Sequence, residues 1–345
     1  MENHQPPDAV NTEALARLRA LFQEGQAAVL RRYSQWFYSY HADLYVHGVP
    51  FEVYVRKVAG IVRALGEPGC VLDLAAGFGV YSCLLRILGV RHVVSMDYHW
   101  EKSKDATTLV RELGLDGVHI LKGDALAFPL KEGRFDGALT LACLSHIREP
   151  EAALRNLARA LRPGGKVYVF EDNNSTYPGY EKHMSVQWEA AESGNYDSLP
   201  SEKRNTESYL AIRSDMIRTA FSDMSAEAVA HCARETRGLY GRAILEATEG
   251  YRRGDSIRNP RRHLVCHPVS GEFEEYPLNP GLVKAMLANA GFVPKLRSPH
   301  YGPFRGRFRL LKALGAAAFR VCPMLLRWAS PTFAVVGNRI DAPTP

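Results

Sequence analysis

The sequence predicts an α/β fold: an open, mostly parallel sheet covered by helices, with a helical insertion late in the chain. Three observations predict it. Short apolar runs of strand length alternate with longer segments at helical spacing. The first run ends in an acidic residue and a small-residue turn, and further acidic residues close the second and third.

The first run, Val71-Leu-Asp-Leu-Ala-Ala-Gly-Phe-Gly79, is an apolar strand that enters a turn able to cradle a nucleotide-like cofactor. A dinucleotide site asks for Gly-x-Gly-x-x-Gly/Ala, and aligning Gly77 and Gly79 with the first two glycines puts Ser82 third. Asp73 argues against a dinucleotide, because a carboxylate at the end of the first strand repels a pyrophosphate. The same carboxylate suits a cation and can hold, directly or through water, the ammonium of an amino-acid moiety. S-adenosylmethionine carries both that ammonium and a sulfonium.

The second run, Arg91 to Met96, is closed by Asp97. It lies about twenty residues after the glycines, the spacing at which a carboxylate meets ribose hydroxyls in nicotinamide enzymes as well. The third, His119 to Lys122, leads into Gly123-Asp124-Ala125, where a carboxylate accepts from an adenine amino group and the alanine leaves room for the ring. The fourth runs from Arg134 toward Ile147 and opens into a polar end. A helix follows with Pro150 near its first turn and Leu154, Leu157, Ala158 and Leu161 on one face. Leu161-Arg-Pro-Gly-Gly-Lys-Val-Tyr-Val-Phe170 then begins a buried fifth strand.

In this fixed order the elements resemble a class I S-adenosylmethionine-dependent methyltransferase, over residues 66–174 and again over 266–340. More loosely, the chain is similar to bacterial methyltransferases associated with glycans or specialised small molecules. The resemblance implies a Rossmann-like, seven-stranded, mostly parallel sheet with an antiparallel last strand. It implies that Asp73, Gly77 and Gly79 bind the amino-acid end of S-adenosyl-L-methionine, Asp97 the ribose, and Asp124 with Ala125 the adenine. Leu141 borders the cofactor, and Ala75 and Tyr98 complete the cofactor group. The chain departs from the family at Ala75, where glycine is usual, and at Phe78, where a small polar residue is frequent. Ala75 narrows the turn's freedom in φ.

Before the core, residues 12–65 carry helical periodicity and an aromatic cluster of Tyr33, Trp36, Phe37, Tyr38, Tyr40 and Tyr45. These rings either close over the cofactor or pack on the helices that cover the sheet. Residues 175–262 carry Tyr209, Ile212, Met216 and Ala220, then Tyr240, Ile244, Ala247 and Tyr251, both at helical spacing, and predict a small helical cap. The expected organisation is an N-terminal helical segment at 1–65, a methyltransferase core at 66–174 and 263–345, and the cap at 175–262. Ligands of open α/β sheets bind beyond the carboxyl ends of the strands. A cap leaving strand five is therefore expected to shape the acceptor's pocket.

Methyl transfer needs alignment and, for a hydroxyl acceptor, removal of a proton. His146, after strand four, and Glu171 or Asp172, after strand five, are the candidate bases. An unperturbed imidazole titrates near neutrality, at about 6.5. The alternative for His146 is a helix-start residue that orients a loop.

After the cap, His267-Pro-Val-Ser-Gly-Glu-Phe-Glu-Glu-Tyr276 predicts a Ser-Gly hairpin, and Asn279-Pro280 caps a helix. Phe292 to Leu296 and Phe333 to Asn338 are the last two strands. Between them, Arg305, Arg309, Lys312, Arg320 and Arg327 fall on one helical stripe and Leu311, Leu314, Ala318, Cys322 and Leu325 on another. Residues 304–330 thus either touch an anionic membrane or a phosphorylated substrate, or show a solvated basic face on an ordinary covering helix, with Pro323 as a break.

Composition fits a globular enzyme: 46% hydrophobic, 23% charged, with a formal net charge of +6. The N-terminal residues lack the order of a signal peptide and no long apolar run occurs, so a cytoplasmic location is expected. The 6 cysteines show no Cys-x-x-Cys pair and are expected to be reduced. His263, Cys266 and His267 match no zinc spacing, and no metal is expected. An amino-methylating nucleic-acid enzyme calls for Asn/Asp-Pro-Pro-Tyr/Phe after strand four, where this chain has Leu144-Ser145-His146-Ile147; nucleic acid is therefore set aside as substrate. The expected acceptor is a small molecule or sugar, methylated on oxygen. Transfer to nitrogen or carbon, or cofactor binding without catalysis, are the alternatives.

Overall fold

The computed structural model describes residues 9–127, 130–195, 207–300 and 308–340. Its strands are β1 (Cys70–Leu74), β2 (His92–Asp97), β3 (Val118–Lys122), β4 (Phe135–Leu141), β5 (Leu161–Glu171), β6 (Phe292–Arg297) and β7 (Phe333–Arg339). They form one sheet in the order β3-β2-β1-β4-β5-β7-β6. Strands β1 to β5 are parallel, and β7 lies antiparallel to both β5 and β6. This is the expected Rossmann-like, seven-stranded, mostly parallel sheet. Strand order reverses at the β1/β4 junction, so the carboxyl ends of β1, β2 and β4 converge where open α/β sheets hold ligands.

The central strands read as near-continuous apolar runs because both faces are covered. Val71, Leu72 and Leu74 of β1, Leu139 of β4 and Val167, Tyr168 and Val169 of β5 are all buried. The covering helices follow in chain order: α1 (Thr12–Leu21), α2 (Gln26–Leu30), α3 (Gln35–Tyr40), α4 (Ala42–Tyr45), α5 (Phe51–Leu65), α6 (Val80–Ile87), α7 (Trp100–Leu113) and α8 (Pro150–Ala160). Side chains cap two of them. Asn11 accepts from the Ala14 amide at 3.0 Å, and Ser34 from the Phe37 amide at 3.0 Å. In α5 the residues Val58, Ile61, Val62 and Leu65 form the buried stripe, and Gly66, at φ +84°, ends the helix.

The described residues fall into two compact units. The first takes the chain up to Leu144, Glu151–Tyr177 and everything from Asn279, and so contains the whole sheet. The second comprises Ser145–Pro150 and Pro178–Leu278, with α9 (Tyr180–Ser193), α10 (Tyr209–Ala220), α11 (Ala226–Glu235) and α12 (Arg242–Arg252). Its core is Ile217, Val229, Cys232, Ala233 and Ile244. Fully buried Arg213 pairs with Glu192 and donates from Nε to the Ala233 carbonyl at 2.7 Å.

The unit boundaries differ from the expected ones. Residues 263–278 belong with the helical unit, not with the sheet, because the Phe273 amide donates to the His146 carbonyl at 3.0 Å and the Tyr276 amide to Ser145 at 2.7 Å. Leu264, Cys266 and Phe273 also pack together there, with Tyr240 and Tyr276 against them. The expected hairpin is a turn closed by His267 N to Glu272 O at 2.8 Å, with one bridge between Cys266 and Phe273.

The first unit resumes with α13 (Pro280–Asn289), capped by Asn279 as expected. Between β6 and β7 lie α14 (Arg309–Val321), a 3-10 turn at Pro323–Leu325 and α15 (Leu326–Ala329). Pro323 ends α14 as the sequence predicts. Arg305 lies outside the described residues, as does the N-terminal stretch 1–8.

Asn174, just past β5, fastens this region. Its buried amide donates to the carbonyls of Leu326, Arg327 and Ser330 at 3.0, 3.2 and 2.9 Å, and its oxygen accepts from Thr176. Asn174→Ala removes the side-chain donor of the Leu326 and Ser330 carbonyls, while Arg327 keeps the Thr176 hydroxyl, and is expected to cost about 2–4 kcal/mol, read as a lowered urea midpoint. A midpoint within error of wild type would show that the three bonds carry no net stability.

Candidate functional site

The site begins at the end of β1. Asp73 is buried, and the one side-chain hydrogen bond it accepts among the described residues comes from Ser82 Oγ, at 2.6 Å. Burial raises its pKa to about 7, opposed by the Ser82 bond and reinforced by the negative charge of Asp97. A carboxylate in that position gains from any cation that reaches it. The turn after it is left-handed at three residues: Ala75 at φ +56°, Gly77 at +59° and Gly79 at +75°. Ala75 thus takes the conformation glycine would take, at a cost of about 1–2 kcal/mol. At Gly79 an added Cβ would sit 2.9 Å from the Ala106 Cβ, so this glycine lets the turn lie on α7. At Gly77 an added Cβ would meet nothing within 4 Å, which leaves an open surface beside the turn.

Asp97 ends β2 and ties the turn down. One oxygen accepts from the Gly77 amide at 2.8 Å and the other from the His99 amide at 2.9 Å. Tyr98, next in the chain, is half exposed, its ring edge-on to His99. Asp124 accepts from the Leu126 amide at 2.8 Å, and the Ala125 carbonyl is fixed by Asn156 at 2.9 Å. Gly123 packs against Met96, whose Sδ would lie 2.7 Å from an added Cβ. Leu141 ends β4, partly buried against the main core. Asp73, Ala75, Gly77, Gly79, Asp97, Tyr98, Asp124, Ala125 and Leu141 all lie in the sheet-bearing unit, at or just beyond the carboxyl ends of adjacent strands β3, β2, β1 and β4.

The N-terminal aromatic residues reach this turn through Phe78. Its buried ring meets Trp36, Phe37, Tyr40 and His41 at centroid distances of 5.7, 5.5, 5.2 and 5.7 Å. Phenylalanine in the turn is therefore a plug that joins the N-terminal helices to the glycine loop. His41 inside the cluster donates from Nδ1 to the Phe37 carbonyl at 2.8 Å, and burial lowers its pKa to about 4, so it is neutral near pH 7. Tyr40 is 55% exposed, and its pKa is raised by burial and then by the nearby Cys143, Asp172, Tyr54 and Asp97.

Sequence reasoning missed Lys57. It stands on α5, with Nζ 3.6 Å from the centroid of the Phe170 ring and 3.4 Å from the Tyr81 hydroxyl, to which it donates. Burial lowers its pKa to about 8, opposed by Asp172. Tyr81 in turn feels the charges of Asp73 and Asp172. A cationic and an anionic side chain thus flank the same phenol at the first turn of α6. The signal was in the sequence: Lys57 falls on the stripe of Val58, Ile61 and Leu65, where a charge is out of place unless it has work to do.

The three candidate bases separate. Glu171 is fully buried and accepts from the Leu144 amide at 3.0 Å, so its carboxylate holds the chain leaving β4. Asp172 is exposed and enters the surroundings of Tyr40 and Lys57. His146 lies in the helical unit, where Nδ1 meets the Phe273 carbonyl at 2.9 Å and Nε2 is 3.8 Å from Glu275. The carbonyl can only accept, so Nδ1 carries the proton and a neutral ring keeps its lone pair on Nε2.

Cys266 is buried and donates to the Leu239 carbonyl at 3.7 Å, while His267 Nδ1 accepts from the amides of Val269 and Ser270. Among the described residues no group of three or more His, Cys, Asp or Glu is placed to hold a metal, and no helix is long and apolar enough to cross a membrane.

Residues 72–169 match the model of a methyltransferase domain. A demethylmenaquinone methyltransferase of Clavibacter sepedonicus is 32% identical over 136 residues, 38% of this chain and 54% of its own. A ubiquinone/menaquinone biosynthesis C-methyltransferase of Shewanella frigidimarina is 34% identical over 112 residues, 31% of this chain and 45% of its own. The chain thus spans about half the length of the curated relatives it matches. Among solved structures, an S-adenosylmethionine-dependent methyltransferase from Thermotoga maritima covers 88% of this chain and 97% of its own at 13% identity, with a TM-score of 0.45.

The raised pKa of Asp73 has a signed effect on stability. Its protonated form stabilises the fold fully below the ordinary aspartate value of about 3.9, and that contribution is lost as pH rises through about 7. Without added ligand, Asp73→Asn is therefore expected to have a higher urea midpoint than wild type at pH 8, with the difference shrinking steadily toward pH 4. A wild-type midpoint at pH 8 equal to or above the variant's contradicts the assignment.

Proposed function

With a class I S-adenosylmethionine-dependent methyltransferase domain in residues 72–169, we propose that this chain moves a methyl group from S-adenosyl-L-methionine to a small-molecule acceptor. The observation that carries the proposal is buried Asp73, raised to about 7, beside the open surface over Gly77. A buried carboxylate fits the ammonium of the cofactor's amino-acid end, and a bare glycine lets that end approach the backbone. Lys57 supplies the complementary charge for the carboxylate of the same zwitterion. Asp97 keeps unused lone pairs on both oxygens for ribose hydroxyls, and Asp124 with Ala125 takes the adenine edge.

When bound, the cofactor supplies an electrophilic methyl group on a sulfonium. The chain's own work is to bind, orient and deprotonate. The Asp97 bond to the Gly77 amide and the Phe78 plug keep the turn rigid, so that little order remains to be imposed on binding. For a hydroxyl acceptor, the proton goes to Nε2 of His146, whose tautomer is set by Phe273. Burial and its bond to Leu144 make Glu171 a support, and Asp172 acts on the charge of Lys57.

Oxygen of a small molecule or a sugar is the acceptor atom we favour. A carbon acceptor is the second reading, favoured by the C-methyltransferase names of the relatives. It also needs a base, to draw a proton from the carbon or a neighbouring hydroxyl.

Incubation with methyl-labelled S-adenosylmethionine and small-molecule fractions, followed by product analysis, tests the proposal and identifies the atom. Lys57→Met is expected to weaken cofactor binding about tenfold, equivalent to about 1.4 kcal/mol. His146→Ala is expected to lower turnover with cofactor affinity unchanged. No cofactor binding at millimolar concentration in calorimetry would overturn the proposal, and wild-type turnover in His146→Ala would remove it as the base.

A further inference from the structure

Helix α14 faces the wrong way for a covering helix. Ala316 is the buried residue of this helix, and Phe319, on the same side, meets the His300 ring at 5.3 Å. At 100° per residue, Leu310, Leu314 and Val321 lie on the opposite side, with Leu311 beside them, and they are 73, 68, 87 and 67% exposed. Met324, Leu325 and Trp328 extend the exposed apolar surface past Pro323. An ordinary covering helix turns its leucines inward and its charges outward, so that expectation is not met. Single exposed leucines need no explanation, but a contiguous row of this kind does.

Its charge says what covers it. From Tyr276 to Ile340 the sequence has ten Lys or Arg residues and no Asp or Glu. Arg309, Lys312 and Arg320 are exposed but stand on the Ala316 side of the helix, across from the apolar arc, and Arg327, past the end of the helix, lies 5.9 Å from the Trp328 ring. None of the four forms an ion pair among the described residues. A second copy of the chain would bring two cationic faces together. An anionic lipid surface meets both features at once, since it takes apolar side chains below its headgroups and phosphates pair with the cations. The helix is about 20 Å long, suited to lying in the interface, not to crossing it. Trp328 has the amphipathic ring that favours headgroup depth.

We propose that α14 and the turn after it dock the protein on anionic membrane surfaces, with Leu310, Leu314, Val321 and Trp328 inserted, Arg327 beside Trp328 at the headgroups, and the long side chains of Arg309, Lys312 and Arg320 reaching back to them from the far side of the helix. The full chain, floated with vesicles of phosphatidylglycerol and phosphatidylcholine at low salt, is expected to bind at least tenfold more tightly than to phosphatidylcholine alone. Binding to the anionic vesicles is expected to weaken at least tenfold in 0.5 M NaCl. Leu310→Ser with Leu314→Ser changes exposed positions, so the fold is expected to persist by circular dichroism while vesicle binding falls at least tenfold. Arg309→Glu with Lys312→Glu is expected to lose the preference for anionic lipid. Equal or absent binding to the two vesicle types overturns the proposal. So does a concentration-dependent dimer in light scattering that the serine substitutions abolish without any effect on vesicles.

Discussion

A carboxylate buried at the end of the central strand is the constraint from which the site is built. Asp73 sits where the sheet is covered on both faces, and burial raises its pKa to about 7 despite the bond from Ser82. Such a group is costly to charge. Beside it the fold leaves a bare surface at Gly77 and a turn held by Asp97. Ala75 accepts a left-handed backbone to make that turn, and the Gly77 amide is held by Asp97 from the next strand. Local strain is therefore offset by a bond between β1's turn and β2's end.

The N-terminal helices complete this arrangement. Phe78 occupies a turn position where a small polar residue would leave the loop exposed, and its ring is enclosed by Trp36, Phe37, Tyr40 and His41. The same helices bring Tyr40 and Lys57 to the ends of β4 and β5. Of the two roles expected of the N-terminal aromatic cluster, the packing one is the one seen: its rings enclose Phe78 and one another.

The sheet was legible in the sequence because each strand is a short apolar run closed by a polar or small residue, and because β-strand burial on both faces leaves a strong pattern. The acidic residues at the strand ends were legible for the same reason: Asp73, Asp97 and Asp124 close short apolar runs, which local sequence marks. Lys57 carried a local signal, a charge on the apolar stripe of α5, but its partner Phe170 lies more than a hundred residues away and is a tertiary fact. Glu171 as a support for Leu144 is likewise a tertiary fact. The boundary at Asn279 was misplaced because residues 263–278 look like a strand and turn locally, while their hydrogen bonds go to Ser145 and His146. Helix α14 misleads in a different way: its pattern is amphipathic, but pattern alone does not say which face meets the protein.

The most direct measurement is the titration of the Asp73 carboxyl carbon by nuclear magnetic resonance, with and without S-adenosylmethionine. The expected midpoint is near 7 in the free protein, falling by at least one unit when the cofactor's ammonium pairs with the carboxylate. A midpoint near the ordinary aspartate value in the free protein, or one that S-adenosylmethionine does not move, would contradict it.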